Sequence, residues 1–135
     1  MSAKSGDSKN KGIEMQARIL KPDPANEYDT PERCYILEMS NSSADEALSI
    51  AMARVEPGVT TAWHRVVDTA ERYVILEGEG RVELEGLPAE AVGVGDVVLI
   101  PPYVEQRITN TGDSDLVFLA LCTPRFRPGN YEHTD

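Results

Sequence analysis

The stretch that decides the fold is GVTTAWHRVVDTAERYVILEG, residues 58–78, taken together with GDVVLIPPYVEQRITN, residues 95–110. Both stretches are rich in β-branched and aromatic residues and are interrupted by glycine, proline, asparagine or aspartate, a pattern typical of strands separated by turns. Side chains two apart on a strand share a face. If the strands close into a barrel, His64, Glu71 and Gln106 are therefore expected to converge in its interior.

The same alternation of apolar and polar residues continues on both sides of these stretches. Turn residues interrupt it at a spacing of roughly 8–12 residues, which favours an all-β fold. The predicted strands are residues 35–39, 49–56, 60–67, 72–77, 81–85, 97–100, 106–110 and 116–123. A short segment near residues 88–91 is the only one with a helical pattern.

The chain has 135 residues, the length of one domain. Residues 1–12 are rich in lysine, serine and glycine, so we expect a disordered N-terminal tail. Residues 13–123 form the predicted barrel domain, and residues 124–135 a predicted extended C-terminal tail. The large aromatic side chains of this tail need cover, which leaves three roles open: packing on the barrel, contact with a second subunit, or a lid over the interior site.

Charge and cysteine content restrict the partners. Acidic residues outnumber basic ones 23 to 13, for a net charge of −10, which disfavours nucleic acid and anionic membranes as partners. The N-terminus has no apolar core of a signal peptide, and the longest apolar run is too short to cross a bilayer. Cys34 and Cys122 are far apart and form no paired motif. We therefore expect a cytoplasmic protein with two free thiols.

The order of glycines, histidine, glutamate and proline resembles the two motifs of the cupin superfamily, over about residues 48–123. The positions that match are Gly58, His64, Glu71, Gly78, Gly95, Pro101 and Asn110. The resemblance implies a small single-domain cupin of the cupin 2 (conserved barrel) type, whose fold is a double-stranded β-helix, or jelly-roll β-barrel. It also implies a homodimer, as many such proteins form.

The resemblance bears on metal binding as well. Cupin motifs normally supply three histidines and one glutamate to a metal ion, but here Val66 and Gln106 stand where the second and third histidines would be. Only His64 and Glu71 carry over from the family's ligand set. With the amide oxygen of Gln106, a weaker donor than imidazole, they would form a degenerate site for Fe, Mn, Ni or Zn, metals that imidazole and carboxylate ligands suit. The alternative is that His64 is a buried neutral histidine hydrogen-bonded to Glu71 or Gln106.

Interior polar side chains are also candidates for contact with a ligand. The expected ligand-binding set is Arg54, His64, Tyr73 and Gln106. Arg54 shares a strand face with Met52, and an arginine in the interior would suit a carboxylate ligand. Glu71 and Tyr73 are the candidate catalytic residues, because both side chains can transfer protons.

Two main functions are compatible with this pattern. The first is a cupin that binds a small polar molecule and acts as a metal-dependent enzyme of the oxygenase or isomerase kind. The alternative is a metal-free binding or sensing module, in which Val66 forms an apolar wall beside His64 and Gln106. A purely structural role is disfavoured, because interior histidine, glutamate and glutamine side chains are costly to bury without partners.

Overall fold

Eleven strands and two short 3₁₀ turns make up the part of the chain that the computed structural model describes, residues 15–135. The strands are β1 (Tyr28–Asp29), β2 (Tyr35–Ser40), β3 (Ser49–Val55), β4 (His64–Val66), β5 (Ala70–Glu77), β6 (Glu79–Leu84), β7 (Glu90–Gly93), β8 (Val97–Ile100), β9 (Gln106–Asn110), β10 (Leu116–Thr123) and β11 (Tyr131–His133). The 3₁₀ turns are Pro24–Asn26 and Pro128–Asn130. The tail predicted over residues 1–12 lies outside the described residues.

The strands form two antiparallel sheets. The first has six strands in the order β1-β2-β3-β10-β5-β8, and the second has five in the order β11-β4-β9-β6-β7. Successive strands of the chain pass from one sheet to the other, as β3, β4 and β5 do, which produces the predicted double-stranded β-helix. The prediction of an all-β jelly-roll barrel is confirmed. Nowhere in residues 15–135 is there a helix of the length and apolarity needed to span a membrane.

Most predicted strands are present, with two differences. The strand predicted over residues 60–67 is reduced to β4, because the backbone before it bonds irregularly: the Ala62 N–H donates to the Glu32 carbonyl at 3.1 Å instead of joining a ladder. The helical pattern near residues 88–91 was misleading. Pairing with β6 makes residues from Glu90 onward a strand, since tertiary pairing overrides a weak local preference.

The core lies between the sheets, where alternation buries every second side chain. Ile75, Ile108, Leu116 and Val55 are almost completely buried there. Asn110, at the end of β9, is also buried, and its side chain is fully hydrogen-bonded. Its Nδ2 donates to the carbonyls of Val55 and Ser114 at 2.8 and 2.9 Å, and its Oδ1 accepts from the Gly112 N–H at 2.9 Å. Asn110 therefore holds three chain segments together at one end of the barrel.

The connection between β5 and β6 requires a glycine for two reasons. Gly78 has φ of 82°, in the left-handed region that side chains rarely adopt. A Cβ atom at this position would also lie 2.7 Å from the backbone oxygen of Asp115. The turn therefore depends on the missing side chain both for its own backbone conformation and for the close approach of the segment before β10.

The substitution Gly78→Ala is expected to destabilise the fold by at least ~2 kcal/mol. The alanine backbone would be strained in the left-handed region, and its Cβ atom would clash with backbone. Urea-induced unfolding measures this loss. The matched control is Gly93→Ala, where a Cβ has open space around it and φ is not left-handed. Equal free energies of unfolding for the two variants would contradict the role assigned to Gly78.

Candidate functional site

A cavity of about 370 Å³ lies between the two sheets and opens to solvent on one side. It is lined by Tyr28, Asp29, Thr30, Pro31, Glu32, Cys34, Ile36, Glu38, Ser49, Ala51, Ala53, Thr61, His64, Val66, Glu71, Tyr73, Ile108, Phe118, Ala120, Cys122, Phe126, Pro128 and Tyr131. The small side chains on the inner faces of β3 and β10 leave the space that larger residues would fill. This volume is at the lower end of the range for small-molecule sites.

His64 is held in one orientation by two contacts. Its Nδ1–H donates to the carbonyl oxygen of Ala62 at 2.9 Å, and its ring stacks on Tyr131 with the centroids 4.9 Å apart and the planes at 20°. A carbonyl oxygen only accepts hydrogen bonds, so the proton of the neutral ring is on Nδ1 and the lone pair on Nε2. His64 is 9% exposed, and none of the described residues makes a hydrogen bond to Nε2. The expected bond to Glu71 or Gln106 is not formed, and Nε2 is available to a ligand.

The carboxyl group of Glu71, on β5, is enclosed by the barrel and borders the cavity. Its Oε1 accepts a hydrogen bond from Gln106 Nε2 at 3.0 Å, and the Cys122 thiol is directed at Oε2, with the sulfur 3.8 Å away. Burial raises the pKa of Glu71 above its ordinary value, although the nearby His64 and the Gln106 amide act in the opposite direction. No arginine or lysine of residues 15–135 contacts this carboxyl group.

Gln106 connects the two sheets. It lies on β9 of the second sheet and is 1% exposed, while its two partners, Glu71 and Tyr73, lie on β5 of the first sheet. The Tyr73 hydroxyl donates to Gln106 Oε1. Burial, followed by the nearby Glu71 charge, raises the pKa of Tyr73 well above its ordinary value. Tyr73 therefore stays protonated and acts as the donor in this contact.

Of the residues that the cupin resemblance suggested for a metal, His64 and Glu71 line the cavity, and Gln106 bonds Glu71. Val66 lines the cavity beside His64, so an alkyl group occupies the position of a further ligand. The Gln106 oxygen is already used by Tyr73. His133 pairs with His64 across β11 and β4, but it is exposed and contacts Asp135. Within residues 15–135 no three His, Cys, Asp or Glu side chains are grouped to hold a metal ion.

The expectation that Arg54 faces the interior is wrong. The inward face of β3 carries Ala51 and Ala53, so alternation turns Arg54 outward. Its guanidinium is bonded to Glu27 at 2.7 Å and to Asp115 at 3.2 Å. The prediction failed because both faces of this strand carry apolar residues. A methionine on the same face as the arginine therefore did not show which face packs into the core.

The two ends of the described chain supply walls that the strand pattern did not predict. β1 and the following turn border the mouth on one side, and the segment from Phe126 to Tyr131 borders it on the other. The only signal in the sequence was the presence of large aromatic residues in an aperiodic tail. In the structure this tail forms β11, which pairs with β4 and places Tyr131 against His64.

The raised pKa of Glu71 predicts how stability depends on pH. A carboxyl whose folded pKa exceeds its ordinary value of 4.5 stabilises the fold below that value, and this contribution is lost as pH rises through the folded pKa. Glu71→Gln is expected to remove this loss. Between the ordinary pKa and the folded pKa of Glu71, the free energy of unfolding of the wild type should fall by ~1.4 kcal/mol per pH unit relative to the variant. Urea-induced unfolding between about pH 5 and about pH 8 measures it.

Glu83→Gln is the control for this measurement. The Arg107 guanidinium lowers the pKa of Glu83, so its contribution has the opposite sign: it is present above the ordinary pKa and lost as pH falls. Parallel stability profiles for wild type and Glu71→Gln across the whole range would show that Glu71 is not perturbed in the fold.

Comparisons with known proteins agree with this architecture. The family model described as "Cupin domain" matches residues 51–122. KdgF from Halomonas sp. superimposes with a TM-score of 0.70 at 16% identity, covering 81% of this chain and 96% of KdgF. Pac13, a nucleoside dehydratase of Streptomyces, has a TM-score of 0.70 at 15% identity, covering 87% of this chain and 92% of Pac13. At these identities the superpositions show the fold alone.

Sequence relatives extend the comparison. A glucose-6-phosphate isomerase from Pyrococcus abyssi is 41% identical over 63 residues, 44% of this chain and 33% of the enzyme. The chain thus spans about a third of the length of that relative. The uncharacterized protein MJ1618 of Methanocaldococcus jannaschii is 31% identical over 125 residues, 91% of this chain and 97% of that protein. With the domain match over more than half of its length and this near full-length relative, the chain belongs to the cupin family.

Proposed function

We propose that this cupin binds a small organic molecule in the barrel cavity and transfers a proton on it, with His64 Nε2 as the base and the Glu71 carboxyl as the acid. The observation that carries the proposal is the unpartnered Nε2 of a fixed, buried histidine that shares one cavity with a half-buried carboxyl group. A general base needs a free lone pair and a general acid needs a proton to give. The Nδ1 contact leaves the lone pair of His64 on Nε2, and burial raises the pKa of Glu71, which favours its protonated form.

The arrangement of the two groups supports their acting on one ligand. The Gln106 backbone pairs with His64 in the ladder, while its side chain bonds Glu71 across the barrel. The two proton-transferring groups are therefore positioned by a single residue. Buried polar groups with different environments are the usual way in which a site obtains one acid and one base.

These residues fit proton transfer without a protein-bound metal better than they fit metal-dependent catalysis. A metal at His64, Glu71 and Gln106 would need the Gln106 oxygen, which Tyr73 now occupies, and would leave the Tyr73 hydroxyl without a buried partner. The relative named as an isomerase offers a guide to the reaction class, since this name describes chemistry with no net redox change.

The acid–base proposal is tested by hydrogen–deuterium exchange at carbon. Small hydroxy-carbonyl compounds, neutral sugars and their phosphates are incubated with the protein in D₂O, and loss of C–H signals is followed by NMR. For the compounds that exchange, His64→Gln and Glu71→Gln are each expected to slow the rate by roughly 10²–10⁴-fold, the usual contribution of general acid–base catalysis. Glu83→Gln, on the outer surface, is the control and should leave the rate unchanged.

Two results would contradict the proposal. One is exchange that neither variant slows. The other is near-stoichiometric Fe, Mn, Ni or Zn in protein purified without chelators, lost in His64→Ala and required for the exchange, as measured by elemental analysis. The second result would support metal-dependent catalysis, in which the Gln106 side chain has rotated away from Tyr73.

A second copy of this chain is the partner that we propose for the exposed edge of the six-stranded sheet. β8 is the edge strand there, and Val97 and Leu99 on its outer face are 56% and 67% exposed. Leu76 on the neighbouring β5 extends the apolar surface. Exposed apolar edges of this kind favour association, because a second strand satisfies both the backbone groups and the apolar side chains.

Leu99→Glu is expected to convert the dimer to monomer, because it places charge in the proposed contact. Size-exclusion chromatography with light scattering gives the mass directly. Ile19→Glu makes the same charge change at an exposed residue of the segment before β1 and should leave the dimer intact. A wild-type chain that remains monomeric at all concentrations up to ~100 μM would contradict the proposal, since stable dimers form well below that concentration.

A further inference from the structure

The carboxylate side chains that line the cavity are not balanced by basic ones. Its lining includes four acidic side chains, Asp29, Glu32, Glu38 and Glu71, and neither lysine nor arginine is among the lining residues that the structure describes. We propose that the ligand of this cavity is a small organic cation, an ammonium group on an apolar body. The inference rests on the proposed function, because it names the ligand class of the same site.

The acidic side chains lie in two parts of the cavity, three at its mouth and one inside. Asp29 and Glu32 belong to β1 and the turn after it, and Glu38 belongs to β2, so these three border the mouth. Glu71 lies inside, on β5. A cation would thus meet negative charge at the entrance and a carboxyl oxygen that can accept a hydrogen bond farther in. An anion would be repelled at the entrance.

Three arginines next to lining residues of the mouth, Arg33, Arg125 and Arg127, do not offset this charge. Arg33 donates to the Thr60 carbonyl at 2.8 Å and pairs with Asp135 on the surface. Arg125 and Arg127, which flank Phe126, both pair with Glu46. Each guanidinium therefore has an acidic partner outside the cavity.

The acidic side chains of the mouth act on titratable groups of two cavity walls. Burial is the main cause that raises the pKa of the Cys34 thiol to about 11, and Glu32 and Asp29 raise it further. Burial and then Glu32 likewise raise the pKa of Tyr131, on the opposite side of the mouth. Groups on both sides of the opening thus experience the same sign of potential.

The hydrogen-bonding groups inside the cavity point to the same ligand class. His64 Nε2 is an unpartnered acceptor on a side chain that is only 9% exposed, and it faces a cavity whose acidic groups are also acceptors when ionised. An ammonium group has donors alone and matches such a lining, whereas a phosphate or carboxylate has acceptors alone. The rings of Tyr28, Phe126 and Tyr131 near the mouth add aromatic faces, which attract cations.

Three probes of nearly equal shape separate the charge classes: benzylammonium, benzyl alcohol and benzoate. Isothermal titration calorimetry at low salt gives their affinities for the intact chain. Benzylammonium is expected to bind at least ~10-fold more tightly than the other two, and raising the salt concentration should reduce this preference because salt screens the acidic mouth. NMR shifts of His64 and Tyr131 confirm that binding occurs in the cavity.

The double variant Glu32→Gln with Glu38→Gln tests the acidic mouth directly. It should weaken benzylammonium at least ~3-fold and leave benzyl alcohol unchanged, a difference that a loss of folding would not produce. The single variant Glu83→Gln, which removes a surface carboxylate away from the cavity, should change none of the affinities.

The outcomes distinguish the two proposals. Binding of benzoate or benzyl alcohol in the cavity as tightly as benzylammonium would overturn the assignment of a cation and leave the cavity as the ligand site. Absence of binding by all three probes at millimolar concentration would overturn the cation assignment. If the compounds that exchange in D₂O also failed to shift His64, the proposed function would fall with it.

Discussion

The hydrogen bonds of one buried amide hold the interior of this barrel together. Gln106 extends from the second sheet, accepts a hydrogen bond from Tyr73 and donates one to Glu71, both on the first sheet. Gln106 and Tyr73 are buried, so loss of one would leave the other without its partner at a cost of about 1–3 kcal/mol. The contact fixes the separation of the sheets, the protonation of Tyr73 and the orientation of the Glu71 carboxyl group.

This amide also explains why the site departs from the ligand set that cupin motifs usually supply. With Gln106 engaged and Val66 at the position of a further ligand, His64 Nε2 is left without a hydrogen-bond partner in the cavity that Glu71 also lines. The residues that replace two histidines therefore act as a coherent pair: the valine removes a ligand and the glutamine converts another into a bridge. The result is a polar pair in a cavity whose other walls carry apolar side chains and the acidic residues Asp29, Glu32 and Glu38.

The fold and half of the site could be predicted from the sequence, because both depend on local alternation. The shared face of His64 and Val66 follows from strand geometry and is present in the structure. Arg54 was placed on the wrong side, since both faces of its strand carry apolar residues. The contact of Tyr131 with His64 could not be predicted, because it depends on pairing between segments separated by about half the chain.

The two walls of the mouth, β1 and β11, are the shortest strands at the outer edges of their sheets, with two and three residues. Edge segments with few hydrogen bonds open at a much lower free energy than central strands do. The margins of the mouth can therefore fluctuate locally while the amide network at the centre of the barrel stays intact. The width of the opening thus depends on two short strands and is separable from the stability of the barrel itself.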